Sequence, residues 1–178
     1  MARAESPRGA EQAERGLLVA SLERAREAVL ARLAGVPVVL LGEPLVSPHS
    51  SLLGVVKDLT RLERWWLSHT FAGGPDAPDA VRPPPIGSRL ERSDTASTII
   101  HDYHAECARG RSIIRHSALD DLAARPLAGG DRVTLRWILL HLIEETSRRA
   151  GHADVLRHLI DGTTTPSTAT HRHAARSR

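Results

Sequence analysis

The sequence predicts an all-α protein, a single four-helix bundle, and three observations support this fold class. Apolar residues recur with helical spacing in four segments, at roughly 11–33, 50–71, 95–117 and 134–161. Only residues 36–41 have the composition of a β-strand, but they include Pro37 and have no obvious partner, so we expect a packed loop there. The chain has 178 residues, the size of one domain that can bury a core.

Each of the first three segments carries one apolar stripe that marks the face turned towards the core. In the first helix the stripe comprises Leu18, Leu22, Ala25, Val29 and Leu33. In the second helix it follows the alternating spacing of a bundle seam, with Leu52, Val55, Leu59, Leu62 and Trp66. In the third helix it comprises Ile100, Tyr103, Cys107, Gly110 and Ile114. We expect Gly110 to permit a close helix approach and Cys107 to be a buried apolar residue rather than a nucleophile.

Residues that break regular structure separate the second and third helices. Residues 72–93 include Gly73, Gly74 and five prolines, a composition that neither a helix nor a central strand tolerates. We therefore predict a long crossover between these helices, long enough to let them run parallel. The predicted domain boundaries are a disordered N-terminus at 1–10, the bundle at 11–162, and a disordered tail containing arginines at 163–178.

Composition and charge exclude several classes of protein. The formal net charge of +3 comes from 24 basic and 21 acidic residues, and three arginines lie in the tail, which leaves a neutral body without the basic surface of a duplex binder. Three Trp, one Tyr and one Phe are too few for an aromatic platform that binds single-stranded nucleic acid. No apolar run approaches the ~18 residues of a membrane span. A single cysteine and a start without an apolar leader segment predict a cytoplasmic protein.

The fourth helix offers two alternative core stripes. The first has polar residues in its middle and consists of Leu135, Ile138, Leu142, Glu145, Arg149, His152, Leu156 and Leu159. The second consists of Leu139, Leu142, Thr146, Ala150, Ala153, Leu156 and Ile160. The second stripe would move Glu145 and Arg149 to the edge of the core, where they would form an ordinary i,i+4 ion pair worth ~0.3–0.5 kcal/mol. Spacing alone leaves both arrangements open.

Two stretches of the chain resemble a known family. One is SLLGVVKDL at 51–59, followed by ERWW at 63–66, and the other is LRWILLHLIEET at 135–146, followed by AGHADVLR at 150–157. These motifs are similar to those of the DinB-like family, a metal-binding four-helix family named for damage-inducible proteins. Within that family they most resemble an actinobacterial branch related to mycothiol-dependent maleylpyruvate isomerases. The resemblance spans roughly residues 11–162 and implies the four-helix fold.

The resemblance also implies a site. Members of the family bind a divalent metal through a His on the second helix and two residues four apart on the fourth helix, Glu or His and then His. The matching positions here are Asp58, Glu145 and Arg149. Aspartate can still ligate a hard cation, but the protonated guanidinium of Arg149 has no lone pair for a metal. We therefore expect no cofactor, and Arg149 argues against the zinc or nickel ion that relatives bind.

Three arrangements of these residues stay open. If Asp58 and Glu145 converge, Arg149 can replace the metal between them through charge-assisted hydrogen bonds, giving a salt-bridge network Asp58–Arg149–Glu145. A shifted metal site would instead use Asp58, His141 and Glu145, because His141 lies one turn before Glu145. In the third arrangement the residues do not meet. His152, three residues past Arg149, can be a pocket acid or base near neutral pH or a structural histidine.

For function, the resemblance implies a small-molecule pocket between the second and fourth helices, where relatives carry out thiol-dependent isomerisation or transfer. The usual partner in that branch is a low-molecular-weight thiol such as mycothiol. A metal-independent enzyme would use Asp58 or Glu145 as general base and Arg149 to hold an anionic substrate. The alternative is a non-catalytic member of the fold, a small-molecule-binding or dimeric interaction protein whose site has become a structural salt bridge. We expect no nucleic-acid or membrane partner, and a homodimer is compatible with both hypotheses.

Overall fold

Helices make up most of the described part of the chain, residues 7–48, 50–74 and 88–164 of the computed structural model. In chain order the elements are α1 (Pro7–Ala31), α2 (Val38–Leu41), α3 (Leu52–Glu63), a π-helical segment (Arg64–Phe71), α4 (Ala96–Arg115) and α5 (Leu135–Thr164). Because the π-helical segment continues α3 without a break, the two together form the second long helix of the bundle. No strand element occurs in the described ranges, and the predicted all-α four-helix fold is confirmed.

The long helices begin at residues whose side chains can cap them. The Ser51 hydroxyl accepts a hydrogen bond from the Gly54 backbone N–H at 3.1 Å, and Thr95 forms a reciprocal capping box at the start of α4. Pro7 opens α1, a position where its missing N–H costs nothing. With α1 starting at Pro7 and α5 reaching Thr164, helix extends past both predicted bundle limits, 11 and 162. The predicted disorder of the ends stays a prediction, because residues 1–6 and 165–178 lie outside the described ranges.

The predicted apolar stripes form the core. Every member of the second-helix stripe is at most 5% exposed, and the first-helix stripe is buried except for Leu18, which is partly buried. α1 packs mainly against α5, and α3 packs mainly against α4. Gly110 lies where α4 meets the π-helical segment, and a Cβ atom there would come within 2.8 Å of Leu67 Cδ1. The close approach predicted at Gly110 is therefore confirmed.

Residues 36–41 differ from the predicted loop. Val38–Leu41 form the single helical turn α2, in which Leu41 is buried while Val38 and Val39 are 71% and 79% exposed. A helical turn with a single buried side chain has no repeating apolar pattern, so the spacing of apolar residues could not predict it. The course of the predicted crossover stays a prediction, because residues 75–87 lie outside the described ranges. None of the described helices combines the length and the apolar character that crossing a bilayer requires.

The π-helical segment connects the α3 side of the bundle to both α4 and α5. Its wider turn is seen in the hydrogen bond from the Ala72 N–H to the Leu67 carbonyl, five residues back, at 3.0 Å. On one side Ser68 Oγ donates to Glu106 Oε1 of α4 at 2.7 Å. On another side Trp66, which is 4% exposed, packs against α5. This segment thus places an indole ring beside the fourth predicted helix, where the candidate site lies.

Candidate functional site

Both predicted stripes contribute to the core at the start of α5, where Leu135 and Ile138 of the first stripe are fully buried, and from Thr146 onwards the core face follows the second stripe more closely. The completely buried members of the second stripe are Leu139, Leu142, Thr146, Ala153 and Leu156. Leu159, which belongs only to the first stripe, is 38% exposed. Glu145 and Arg149 therefore lie beside the apolar core rather than in its middle. Arg149 is nevertheless only 3% exposed, so its guanidinium is a buried charge that needs a partner.

Glu145 is that partner. Arg149 Nη1 donates to Glu145 Oε2 at 2.6 Å and to the Glu145 backbone carbonyl at 3.2 Å. The second carboxylate oxygen of Glu145 accepts a hydrogen bond from Arg148. Burial by itself would raise the pKa of Glu145, but the hydrogen bond and charge of Arg149, together with Arg148, hold this pKa below its usual value. Glu145 is therefore ionised at neutral pH.

One edge of the Arg149 guanidinium has no acceptor. Its buried Nε has no hydrogen-bond partner, and the hydrogen bonds among the described residues involve only Nη1 of this side chain. The Thr146 hydroxyl, one turn earlier on α5, is also buried without a partner. Nε and Nη2 are parallel donors, with which arginine binds a carboxylate or phosphate in bidentate fashion. This edge of the site can receive an anionic group.

Asp58 lies on α3, which packs against α5, and its side chain is buried. Its carboxylate accepts a hydrogen bond from the Ser88 hydroxyl, and Ser88 accepts another from Arg61 Nη1 at 3.2 Å. Within the described ranges, no hydrogen bond or ion pair joins Asp58 to Arg149 or to Glu145. The structure therefore forms the Glu145–Arg149 part of the predicted network, and the participation of Asp58 stays a prediction.

His141 stands in an aromatic corner on the same face of α5. Its ring centroid lies 4.7 Å from that of Trp66 and 5.0 Å from that of Trp137, on which it stacks at an interplanar angle of 9°. Burial lowers the pKa of His141, and this effect outweighs the opposing charge of Glu145, so the imidazole is neutral at pH 7. On α5, Trp137 and His141 are four residues apart, and Glu145 and Arg149 follow at the same spacing. The aromatic corner and the ion pair of Glu145 and Arg149 therefore lie next to each other along one face of the helix.

The residues present do not fit a divalent metal. Among the described residues, no group of three or more His, Cys, Asp or Glu side chains is placed to hold an ion, and the alternative site of Asp58, His141 and Glu145 stays a prediction. Arg149, at the third ligand position of the resemblance, offers donors and a positive charge where a metal requires a lone pair. Arg149 also forms an ion pair with the Glu145 carboxylate, the second of the implied metal ligands. This donor set is suited to an anion rather than to a cation.

His152 connects α5 to the start of α3. Its Nε2 atom lies 2.8 Å from Ser50 Oγ, a hydrogen-bond distance, and Ser50 directly precedes the capping residue Ser51. A hydrogen bond between α5 and the residue before the α3 cap is what a structural histidine at this position would form. The acid–base role of His152 stays a prediction.

Sequence reasoning missed a second buried charge cluster, which lies between α1, α3 and α4. Arg26 Nε and Nη2 donate to the two carboxylate oxygens of Glu63 at 2.8 and 2.5 Å, and both side chains are at most 3% exposed. Cys107 Sγ lies 3.7 Å from Glu63 Oε1, and the buried Tyr103 hydroxyl interacts with the same thiol. Burial, followed by the charge of Glu63, raises the pKa of Cys107 to about 12, which agrees with its predicted non-nucleophilic role.

A sequence signal for this cluster exists. Arg26 lies four residues after Leu22 and three before Val29, so it occupies a position in the apolar register of the first helix. Glu63 stands in the same relation to Leu59 in the second helix. Opposite charges at core-facing positions of two different helices indicate a buried ion pair, because neither charge is tolerated there alone.

The comparisons with known proteins agree with this fold and identify the family. No curated protein matches the sequence. The crystal structure of a conserved protein from Enterococcus faecalis is 20% identical, with a TM-score of 0.56 over 83% of this chain and 96% of that chain, a likeness that supports the fold alone. A family model described as Mycothiol-S-transferase matches residues 17–162, which include both helices that carry the site. The chain therefore belongs to the mycothiol-S-transferase family, within the DinB-like superfamily that its motifs indicate.

Proposed function

We propose that this protein transfers a low-molecular-weight thiol to an electrophilic small molecule, without a metal, in a pocket between α3 and α5. The proposed site residues are Asp58, Glu145, Arg149 and His152. The observation that carries the proposal is the buried guanidinium of Arg149, which Glu145 holds on one side and which has no acceptor for Nε on the other. An unsatisfied buried donor is costly, and an anionic ligand would remove that cost.

The family description supplies the class of thiol and the class of reaction. It names mycothiol as the thiol and transfer as the activity. The reactive form of a thiol is the thiolate, and a nearby positive charge favours that form by lowering the thiol pKa. The guanidinium of Arg149 carries such a charge at every physiological pH. In this proposal Arg149 takes over the electrostatic role that a metal has in relatives.

The proton and the bonds can be assigned to groups at this site. Glu145 is a poor base, because two arginines hold its pKa below the usual value. We therefore assign Asp58, a buried carboxylate that accepts a hydrogen bond from Ser88, as the group that takes the thiol proton. The sulfur then bonds to the electrophilic carbon, the bond from that carbon to the leaving group breaks, and the leaving group departs with the electron pair and receives the proton from Asp58.

The surroundings of the site support a small-molecule pocket. Trp66, Trp137 and His141 form an apolar wall beside the ion pair, which is the combination of flat apolar surface and few polar groups that small-molecule sites use. A cytoplasmic location is consistent with thiol transfer, because low-molecular-weight thiols are kept reduced there. A homodimer stays a prediction that light scattering would test.

The decisive experiment follows thiol conjugation in the presence of a chelator. The full chain, treated with EDTA, is incubated with mycothiol and a chlorobimane electrophile, and the fluorescent conjugate is measured. We expect conjugation that EDTA does not reduce, at least a tenfold loss in Arg149→Leu, and a comparable loss in Asp58→Asn. The matched control is Arg24→Leu, which removes an exposed arginine of α1 and should leave the rate unchanged. Conjugation that EDTA abolishes and zinc restores, or an unchanged rate in Arg149→Leu, would contradict the proposal.

The alternative function is a non-catalytic small-molecule-binding or dimeric interaction protein. It is favoured by one observation, the engagement of both Glu145 carboxylate oxygens by arginines, as expected where a site has become a structural salt bridge. Thermal shift against a panel of thiols and anionic metabolites separates these functions. A higher Tm without any turnover would indicate a binding protein, and no change in Tm across the panel would indicate a structural salt bridge.

A further inference from the structure

A groove of about 490 Å³ runs between α1 and α4, apart from the site between α3 and α5. This volume lies within the range of ~300–1,000 Å³ that small-molecule sites occupy. Its lining includes Val19, which is partly buried, and Ile114, which is 4% exposed, so the groove has an apolar base. A ligand with an apolar body would remove this surface from water.

Gly16 keeps the groove open. A glycine inside a helix is destabilising relative to alanine, and Gly16 lies in the interior of α1. A Cβ atom at Gly16 would meet no atom within 4 Å, so no neighbouring element requires the missing side chain. The space above Gly16 belongs to the groove, and a larger side chain at this position would project into it.

Three arginines surround the apolar base. Arg15 donates to the Ile114 carbonyl at 2.6 Å and lies 3.6 Å from Glu11, and Arg111 donates to both carboxylate oxygens of Glu23. Arg115 is exposed and forms no hydrogen bond or ion pair with any residue in the part of the chain that the structure describes. Two carboxylates thus face three guanidiniums. Arg26 also donates to Glu23 at 2.7 Å, but its charge is balanced by Glu63. The groove carries a net positive charge.

We propose that this groove binds a small organic anion with an apolar body, such as a carboxylate or sulfonate on an alkyl or aryl group. The apolar body lies on Val19 and Ile114 over Gly16, and the acidic group pairs with Arg115. The charge of the groove selects an anion over a neutral compound, because the arginines exceed their carboxylate partners. This site is independent of the thiol-transfer site proposed above.

The test uses the full chain and two probes, anilinonaphthalene sulfonate, whose fluorescence rises in an apolar site, and decanoate as its competitor. We expect saturable binding of one equivalent of the sulfonate and its displacement by decanoate but not by decanol. Arg115→Gln should weaken binding about tenfold, because the variant keeps a hydrogen-bond donor but loses the charge that pairs with the acidic group. Gly16→Leu should abolish binding by filling the groove, and it should not unfold the protein, because leucine favours a helix more than glycine does.

Two controls decide whether the probe occupies this groove. Gly151→Leu adds the same side chain to an exposed helical glycine of α5 with open space around it, and it should leave binding unchanged. Arg149→Leu should also leave binding unchanged, which separates this groove from the site between α3 and α5. Unchanged affinity in both Gly16→Leu and Arg115→Gln, equal displacement by decanol, or loss of binding in Arg149→Leu instead would each overturn the proposal.

Discussion

Replacing Arg26 by methionine removes the cation from a fully buried ion pair while keeping an unbranched side chain of similar length. Arg26 provides two hydrogen bonds to Glu63, and both side chains are at most 3% exposed. In the variant, the Cys107 thiol, at 3.7 Å, is the only hydrogen-bond donor to the Glu63 side chain that remains among residues 7–48, 50–74 and 88–164. The variant therefore has a buried carboxylate without a cation.

The magnitude of the effect follows from this burial. Removing one partner of a buried ion pair costs ~3–5 kcal/mol, because the other charge stays buried and unpaired. Solvent screening does not reduce this figure, since neither group reaches water. In a domain of this size the loss corresponds to a fall in Tm of roughly 6–20 °C. Urea unfolding followed by tryptophan fluorescence would measure the change in the free energy of unfolding.

The pH dependence provides an independent check of the cause. Burial raises the pKa of Glu63 above its ordinary value of 4.5, and Arg26 opposes this rise, so the pKa increases further without Arg26. A carboxyl group whose pKa is raised by folding is more readily protonated in the folded protein than in the unfolded one. Its contribution to the free energy of unfolding is therefore highest at low pH and falls as pH rises towards the folded-state pKa. Because the unfolded pKa is the same in both proteins, we expect the deficit of Arg26→Met relative to wild type to grow between the folded-state pKa of Glu63 in the wild type, which lies above 4.5, and the still higher one in the variant.

A double variant separates the lost ion pair from lost packing. Arg26→Met combined with Glu63→Met replaces the pair by apolar side chains, which is often neutral in buried sites, so it should recover most of the stability. A loss below about 1 kcal/mol in Arg26→Met, as for an exposed pair, would refute the reasoning. So would a double variant that is less stable than the single one, because the deficit would then come from packing.

Three further predictions concern the site and the thiol. Arg149→Leu should lower the free energy of unfolding by about 1 kcal/mol rather than ~3–5 kcal/mol, because Glu145 keeps its hydrogen bond to Arg148. Urea titration would measure this change, and a loss above about 3 kcal/mol would contradict the role given to Arg148. Asp58→His with Arg149→His should gain about one equivalent of zinc by elemental analysis, and no gain would contradict the equivalence of these positions with the family's ligands. Cys107 should not react with Ellman's reagent in the native protein at pH 8 and should react fully in guanidinium, because it is buried with a pKa of about 12; rapid native reaction would contradict its burial.

Apolar spacing predicts the four long helices because each of them buries one continuous stripe. The same spacing does not reveal the π-helical segment, since Trp66 fits the stripe of the second helix whichever carbonyl its neighbours bind. It also does not reveal α2, where Leu41 alone is buried. Both features depend on backbone hydrogen bonds that leave the pattern of apolar residues unchanged.

The candidate site could be predicted in part. Spacing of four places Glu145 and Arg149 on one helix face, and the structure forms their ion pair. Spacing could not decide that Arg149 is buried beside the core, because both stripes of α5 were compatible with the sequence. The contacts of Asp58 and His152 with Ser88 and Ser50 join segments that are distant in the chain, so no local pattern could indicate them.

The π-helical segment makes the length of the second helix critical at one place. If one of its eight residues were removed without a change in the hydrogen-bonding pattern of the rest, everything before it would turn relative to everything after it by one residue's rotation, about 100° in an α-helix. Trp66 contacts α5, while Ser68 bonds to α4 on the other side, so no such rotation would preserve both contacts. The number of residues in this stretch, more than the identity of any one side chain, keeps the two interfaces of the helix in register.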